Sequence, residues 1–124
     1  MGVLILAQCF ERILVKKIIW NKKAREFVRS LDDETKREIG VWLMLIQSGR
    51  KLSEPQSKPM KSINKNAFEL RIKDKKGIYR VIYVLSIGDK VFIPHAFMKK
   101  TQKTPKKEIE LSIKRLQELI DETK

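Results

Sequence analysis

The sequence predicts an α+β domain with the element order β-α-α-β-β-β-α, in which helices pack a small, twisted, mostly antiparallel sheet. Two observations predict this class. Residues 68–98 contain three strand-like segments separated by short turns. Apolar residues at helical spacing precede this block and follow it. A chain of 124 residues favours one domain. We assign residues 13–124 to it and residues 1–12 to an N-terminal extension.

The three central strands have the clearest pattern. Phe68–Lys73 alternates apolar and polar residues, as a half-buried strand does. Asp74–Gly77 predicts a turn, and Ile78–Leu85 predicts a second strand because it is rich in β-branched and aromatic residues. After a turn at Ser86–Asp89, Val91–Met98 predicts the third strand.

The segments before this block predict a strand and two helices. Ile13–Trp20 is apolar enough for a first strand. Asn21 is a favourable N-cap for the first helix, and Asp32 or Asp33 for the second, which ends near Gly49. We expect the two helices to form a hairpin, and the sheet to carry its helices on one face.

The remaining segments predict a loop and a last helix. Arg50–Asn66 contains two prolines and little periodicity, so it predicts a long loop. Thr104 is the expected N-cap of the last helix, with Pro105 in its first turn. Its apolar stripe is Ile109, Ile113, Leu116 and Ile120.

The charge points to a polyanionic partner. The net charge is +13, and residues 58–107 hold fourteen Lys and Arg against three Asp and Glu. This concentration favours nucleic acid or an acidic protein; the alternative is a solvated, lysine-rich surface. The single cysteine, Cys9, fits a reducing compartment. No apolar run is long enough for a bilayer and no signal peptide is evident, so we expect a cytoplasmic protein.

Two stretches carry a resemblance to a known family. The first is Lys61–Val84, with Phe-Glu-Leu-Arg-Ile-Lys followed by Gly-Ile-Tyr-Arg-Val-Ile-Tyr; the second is His95–Pro105, with His-Ala-Phe-Met-Lys-Lys-Thr-Gln-Lys-Thr-Pro. The chain resembles the RelE/HigB toxins of type II toxin–antitoxin systems, in particular their phage-derived HigB-like branch. The resemblance covers about Ile18–Leu119 and implies a RelE-like fold.

The resemblance also implies a function. It implies a metal-independent, cofactor-free endoribonuclease that cleaves mRNA in the ribosomal A site by 2′-OH attack on the adjacent phosphate, which inhibits translation. It implies a cognate antitoxin of the helix-turn-helix, HigA-like type, contact with operon DNA only through that antitoxin, and no membrane partner. The alternative is a non-catalytic basic nucleic-acid-binding protein or phage-derived regulator.

Arg80 is the first candidate for the catalytic site. It lies in the middle of an otherwise apolar strand, where an unpaired buried guanidinium would cost several kcal/mol or more. We therefore expect it in a cleft that binds an anion, and it matches the strand arginine of the family. The alternative is a structural ion pair with Glu69 or Asp74.

Three more residues complete the predicted catalytic set. Arg71 lies on the polar side of the neighbouring strand, and Lys99 ends the last strand where the family places basic residues. His95 is the only histidine. It is either an acid–base group or a core histidine, since alternation places it with Val91 and Ile93. A lysine is an alternative base. The expected RNA- or ribosome-binding residues are Lys73, Lys75, Lys76, Lys100 and Lys103.

Overall fold

A computed structural model describes residues 16–85, 89–99 and 103–124. Within these ranges the chain forms five strands and three helices. They are β1 (Lys17–Trp20), α1 (Lys22–Arg29), α2 (Asp33–Gln47), β2 (Ser57–Pro59), β3 (Ala67–Lys73), β4 (Ile78–Leu85), β5 (Lys90–Lys99) and α3 (Lys106–Glu122). The predicted 1–12 extension and the first part of the predicted strand at 13–20 lie outside the described residues.

The strands form one open sheet in the order β1-β5-β4-β3-β2. β1 is parallel to β5, and the other neighbouring pairs are antiparallel. The predicted mostly antiparallel α+β fold is confirmed. One strand was missed, because the predicted loop at 50–66 contains β2, a three-residue edge strand too short to show periodicity.

The first two helices begin where their capping residues predict. The Asn21 side chain accepts a hydrogen bond from the Ala24 amide, and the Asp32 side chain accepts one from Thr35. The Thr35 bonds lower the pKa of Asp32 below its usual value, since they favour the carboxylate. After α2, Gly49 has a φ of 87°, the left-handed conformation of a helix-terminating glycine.

The helices cover both faces of the sheet, so the expectation that they share one face is wrong. One core cluster joins α1 and α2 to Leu70, Tyr79 and Ile93. A second joins α3, through Leu116 and Leu119, to the other face. The sheet needs two covered faces because β4 is buried on both sides from residue 79 to residue 84.

An irregularity in β5 changes the expected position of His95. Ile82 pairs with His95, but Val84 pairs with Phe92, so Ile93 and Pro94 together face one residue of β4. This bulge breaks the alternation. Ile93 consequently lies in the cluster under α1 and α2, whereas His95 lies on the α3 face, and their predicted common face is wrong.

Two details of α3 also differ from expectation. Pro105 occupies the N-cap position, and the Thr104 hydroxyl is engaged with Glu69 and Arg80 rather than with the helix. Ile113 is 42% exposed, so it does not belong to the buried stripe. The buried positions of α3 are Ser112, Leu116 and Leu119.

Candidate nucleic-acid interface

The predicted basic strand residues share one face and one end of the sheet. Lys73 pairs with Ile78, which pairs with Lys99. In the next row Arg71 pairs with Arg80, which pairs with Phe97. Residues directly opposite each other in an antiparallel ladder project from the same face. All of them therefore lie on the α3 face. Strand spacing separates Lys73 from Lys99 by about 10 Å across the row.

The guanidinium of Arg80 does not point into an open cleft. Its side chain is 0% exposed and pairs with the carboxylate of Glu69, whose side chain is also 0% exposed. Arg80 Nη1 also lies 3.3 Å from the Thr104 hydroxyl, which itself donates to Glu69. The expected anion-binding orientation is therefore wrong, and the structure has the alternative ion pair with Glu69. A buried cation needs such a partner to offset its desolvation.

Arg71 is the arginine of this face that reaches solvent. Its Nε donates to Glu69 Oε1 at 3.0 Å, and its side chain keeps 20% exposure. It lines an open cleft of about 350 Å³, which we call the cationic cleft. The cationic cleft is lined by Lys58, Met60, Arg71, Lys103, Thr104 and Ile109. The predicted residues Arg71 and Lys103 thus meet there.

Lys73 and Arg71 also line a second cleft of about 310 Å³. We call it the edge cleft, because it lies where β3 extends past the short β2; its other lining residues are Glu38, Pro55, Gln56 and Ile78. The Glu38 carboxylate makes this cleft less favourable for a phosphate than the cationic cleft. Lys99 is partly buried in the row of Lys73 but lines neither cleft.

The lysines of the β3–β4 turn lie away from the cationic cleft. Lys75 and Lys76 are exposed and line a groove that Lys73 also borders and that contains four carboxylates, those of Asp32, Glu34, Glu38 and Asp74. These acids offset the lysine charge, so the groove is a poor site for a polyanion. Lys100, the remaining predicted RNA-binding residue, lies outside the described residues.

His95 is enclosed between the sheet and α3. Its Nε2 lies 3.0 Å from Glu108 Oε2, and Arg115 Nη1 lies 2.9 Å from its Nδ1. Arginine can only donate, so Nδ1 accepts and the ring is neutral, with its proton on Nε2 facing Glu108. Burial lowers the pKa of His95 most; Glu108 raises it, and Arg115 lowers it further. The structure therefore has the core histidine of the two alternatives.

Three contributors to this face were missed from the sequence, namely Lys58, Met60 and Ile109 of the cationic cleft. Glu69 was considered only as a partner of Arg80, and the structure shows that it holds Arg71 as well. Lys58 and Met60 fall in the segment predicted as a loop, so no periodicity placed them. The sequence did contain a signal for the Glu69–Arg71 contact, because Glu69 lies two residues before Arg71 and alternation places both on the polar face of β3. Among the described residues, no group of three or more His, Cys, Asp or Glu could hold a metal ion.

Together the fold and this face define a class of protein. The described part of the chain has the RelE-like α+β fold, with three helices and an open, mostly antiparallel sheet of five strands. Residues 26–117 match the model of the family of phage-derived Gp49-like proteins (DUF891). The match spans most of the 124 residues, so the chain belongs to this family, a member of the RelE/HigB-like toxin superfamily. A search of curated proteins finds no match. Within the described residues, no helix is long and apolar enough to cross a membrane.

Proposed function

We propose that the protein is the toxin of a type II toxin–antitoxin pair and that it cleaves mRNA on the ribosome, in the A site. The observation that carries this proposal is the cationic cleft in a chain of the Gp49-like family. Of the described residues that line this cleft, three are cations and none is a carboxylate, which suits the phosphate backbone of RNA. The HigB-like branch is part of the proposal.

The proposed chemistry is attack by a ribose 2′-OH on the adjacent phosphate, in which the hydroxyl gives up its proton to a base. A cyclic phosphate forms, the bond to the 5′-oxygen of the next nucleotide breaks, and that oxygen leaves with a proton from an acid. Charge accumulates on the phosphate in the transition state, and cations placed there stabilise it. We assign this role to Arg71, whose planar guanidinium can bind two phosphate oxygens. Lys99 and Lys73, in the adjacent row, bind the flanking backbone. Arg80 acts as a positioning residue, because it orients Glu69 and, through it, Arg71.

The proposed partners follow from the same surface. A cognate antitoxin of the helix-turn-helix type would silence the toxin by placing carboxylates over Arg71 and Lys99, and operon DNA would be bound through the antitoxin. The proposed location is the cytoplasm, where the ribosomes are.

The test is translation of one message in a reconstituted system, followed by mapping of the 5′ ends of the fragments. The wild type should give cuts that depend on ribosomes. Arg71→Ala should reduce cleavage at least tenfold, because one charge-assisted phosphate contact is worth about 1.5–3 kcal/mol. Arg25→Ala is the matched control, since Arg25 is exposed on α1, which packs on the opposite face. Full cleavage by Arg71→Ala would overturn the assignment.

A specific observation favours a second candidate function, nucleic-acid binding without cleavage. Two of the four residues that the sequence put forward for the chemistry, Arg80 and His95, are only 0% and 5% exposed. A protein that only binds RNA needs neither of them at its surface. In the same assay this candidate predicts ribosome or message binding with no cuts, and a loss of binding in Arg71→Ala.

A further inference from the structure

The cationic cleft has an apolar part that phosphate binding does not explain. Met60 and Ile109 line it beside Lys58, Arg71 and Lys103. Both side chains are anchored, because Met60 belongs to the core cluster under α3 and Ile109 packs against it. A cleft built only for phosphate has no need of an apolar wall next to its cations. The mixture instead matches a ligand with an anionic part and a flat apolar part.

We propose that the cationic cleft holds one nucleotide of single-stranded RNA with its base unstacked from the neighbouring bases. In this arrangement Arg71, Lys58 and Lys103 bind the phosphate, and the base lies against Met60 and Ile109. The choice of RNA rests on the proposed function. The volume of about 350 Å³ is in the range of small-ligand sites. A duplex would not fit this arrangement, because its bases face each other and cannot contact a protein wall.

The lining residues also indicate that the site discriminates little between the four bases. Among the described residues that line the cationic cleft, Thr104 is the one neutral hydrogen-bonding side chain, and its hydroxyl is already engaged with Glu69 and Arg80. These described residues therefore offer the base edge few fixed donors or acceptors. Contact with the face of the base tolerates any of the four bases. Thioether side chains adapt their shape easily, which suits Met60 to this role.

The edge cleft is the less favourable place for the same nucleotide. It shares Arg71 but adds the Glu38 carboxylate, which repels a phosphate. Its other apolar residues are Pro55 and Ile78. Arg71 lies between the two clefts, so the strand can continue past Arg71 along the β3 edge while one base occupies the cationic cleft.

The experiment measures whether the base and the apolar wall interact. The probe is a hexanucleotide whose sugars lack the 2′-OH, so that it cannot be cut, compared with the same backbone with every base removed. Binding is followed by fluorescence anisotropy for the wild type and Ile109→Ala. Wild type should bind the intact probe several-fold more tightly than the base-free one, because the base removes apolar surface from water when it lies against Met60 and Ile109. In Ile109→Ala most of this preference should disappear, while affinity for the base-free probe stays within about twofold.

Two control variants, Ile113→Ala and Met44→Ala, test whether the effect is specific to the apolar wall. Ile113→Ala removes the same atoms one turn further along α3, at a position 42% exposed, and should preserve the full preference for bases. Met60→Ala should reduce it, whereas Met44→Ala, at a position 64% exposed on α2, should not. Thermal unfolding of each variant confirms that it is folded at the assay temperature.

The outcomes separate this inference from the proposed function. Equal weakening of both probes by Ile109→Ala would overturn the nucleotide site, even if the protein cleaves mRNA. A base preference that depends on Ile109, in a protein that makes no cuts during translation, would support the site and overturn the nuclease. If wild type binds neither probe, the nucleotide site is overturned.

Discussion

Replacing Glu69 with Gln tests whether one buried carboxylate organises the basic face. The substitution keeps the side-chain shape and removes the charge that Arg80 and Arg71 share. Arg80 is 0% exposed, so in the variant it loses its anion without gaining water. Arg71 keeps access to solvent, and Thr104 remains within reach of Arg80.

The expected magnitude follows from these contacts. Removing one partner of a buried ion pair costs about 3–5 kcal/mol, because the other charge stays buried and uncompensated. Thr104 still offers Arg80 a hydrogen bond, which places the expected loss near the lower limit, about 3 kcal/mol. A domain of this size has a free energy of unfolding of about 5–15 kcal/mol. The melting temperature should fall by about 10 °C.

The assay is urea unfolding followed by tryptophan fluorescence, since Trp20 and Trp42 both pack against the core under α1 and α2. The midpoint should fall while the slope with urea stays unchanged. Glu110→Gln is the matched control, because Glu110 is 66% exposed and its pair with Lys106 has a separation of 3.9 Å. It should change the free energy of unfolding by less than about 0.5 kcal/mol.

A loss below about 1 kcal/mol in Glu69→Gln would refute the reasoning. A double variant tests the same reasoning in a second way. Glu69→Gln combined with Arg80→Met removes both buried charges and should recover part of the lost stability, since a buried pair replaced by apolar groups is often neutral. The result also bears on Arg80→Ala. That variant removes a buried charge, so its loss of activity would reflect stability as well as chemistry.

Three further predictions concern other parts of the structure. Arg71→Ala should reduce the steepness with which the logarithm of the binding constant for single-stranded RNA falls with the logarithm of the salt concentration. The magnitude of the slope should decrease by about 0.7, the contribution of one phosphate contact, and a slope equal to that of Arg25→Ala would contradict this. Burial lowers the pKa of His95 below 6.5 in the folded state, so the unfolded chain takes up that proton first as the pH falls. The contribution of His95 to stability should be fully present above pH 6.5 and should decrease below it by at most about 1.4 kcal/mol per pH unit until the folded pKa is reached. His95→Gln should remove this part of the pH dependence in urea titrations at several pH values. Leu116→Ala should cost about 2–5 kcal/mol because Leu116 is 4% exposed under α3, and an effect no larger than that of Ile113→Ala would be inconsistent with the packing described.

Local sequence patterns predicted the strands and helices well, but they did not predict on which face of the sheet each helix packs. The period of two in β3 and the capping residues Asn21 and Asp32 depend on neighbours in the chain, so the sequence contains them directly. The face on which α3 packs depends on contacts with distant residues. One signal was available, because Ile78–Leu85 is nearly all apolar, as in a strand covered on both sides.

His95 shows a second limit. Simple alternation along β5 places it with Val91 and Ile93, and the bulge at Ile93–Pro94 moves it to the opposite face. The signal in the sequence was Pro94, since proline cannot donate to the ladder and is found at bulges or edges. The partners of the two His95 ring nitrogens, Glu108 and Arg115, lie 13 and 20 residues away, so no local pattern identified them.

The two arginines of the face share one carboxylate, and they differ because one lies deeper in the protein than the other. Arg80 and Arg71 are direct neighbours across β3 and β4, and each contacts Glu69. Arg80 comes from a central strand covered by α3, so its guanidinium has no route to solvent. Arg71 lies one position beyond the residues of β3 that pair with β2, next to the start of β2, so it keeps one side exposed while Glu69 fixes the other. An arginine held on one side and open on the other is preorganised for a phosphate. The carboxylate that makes Arg80 structural therefore also fixes Arg71, as the proposed phosphate contact requires.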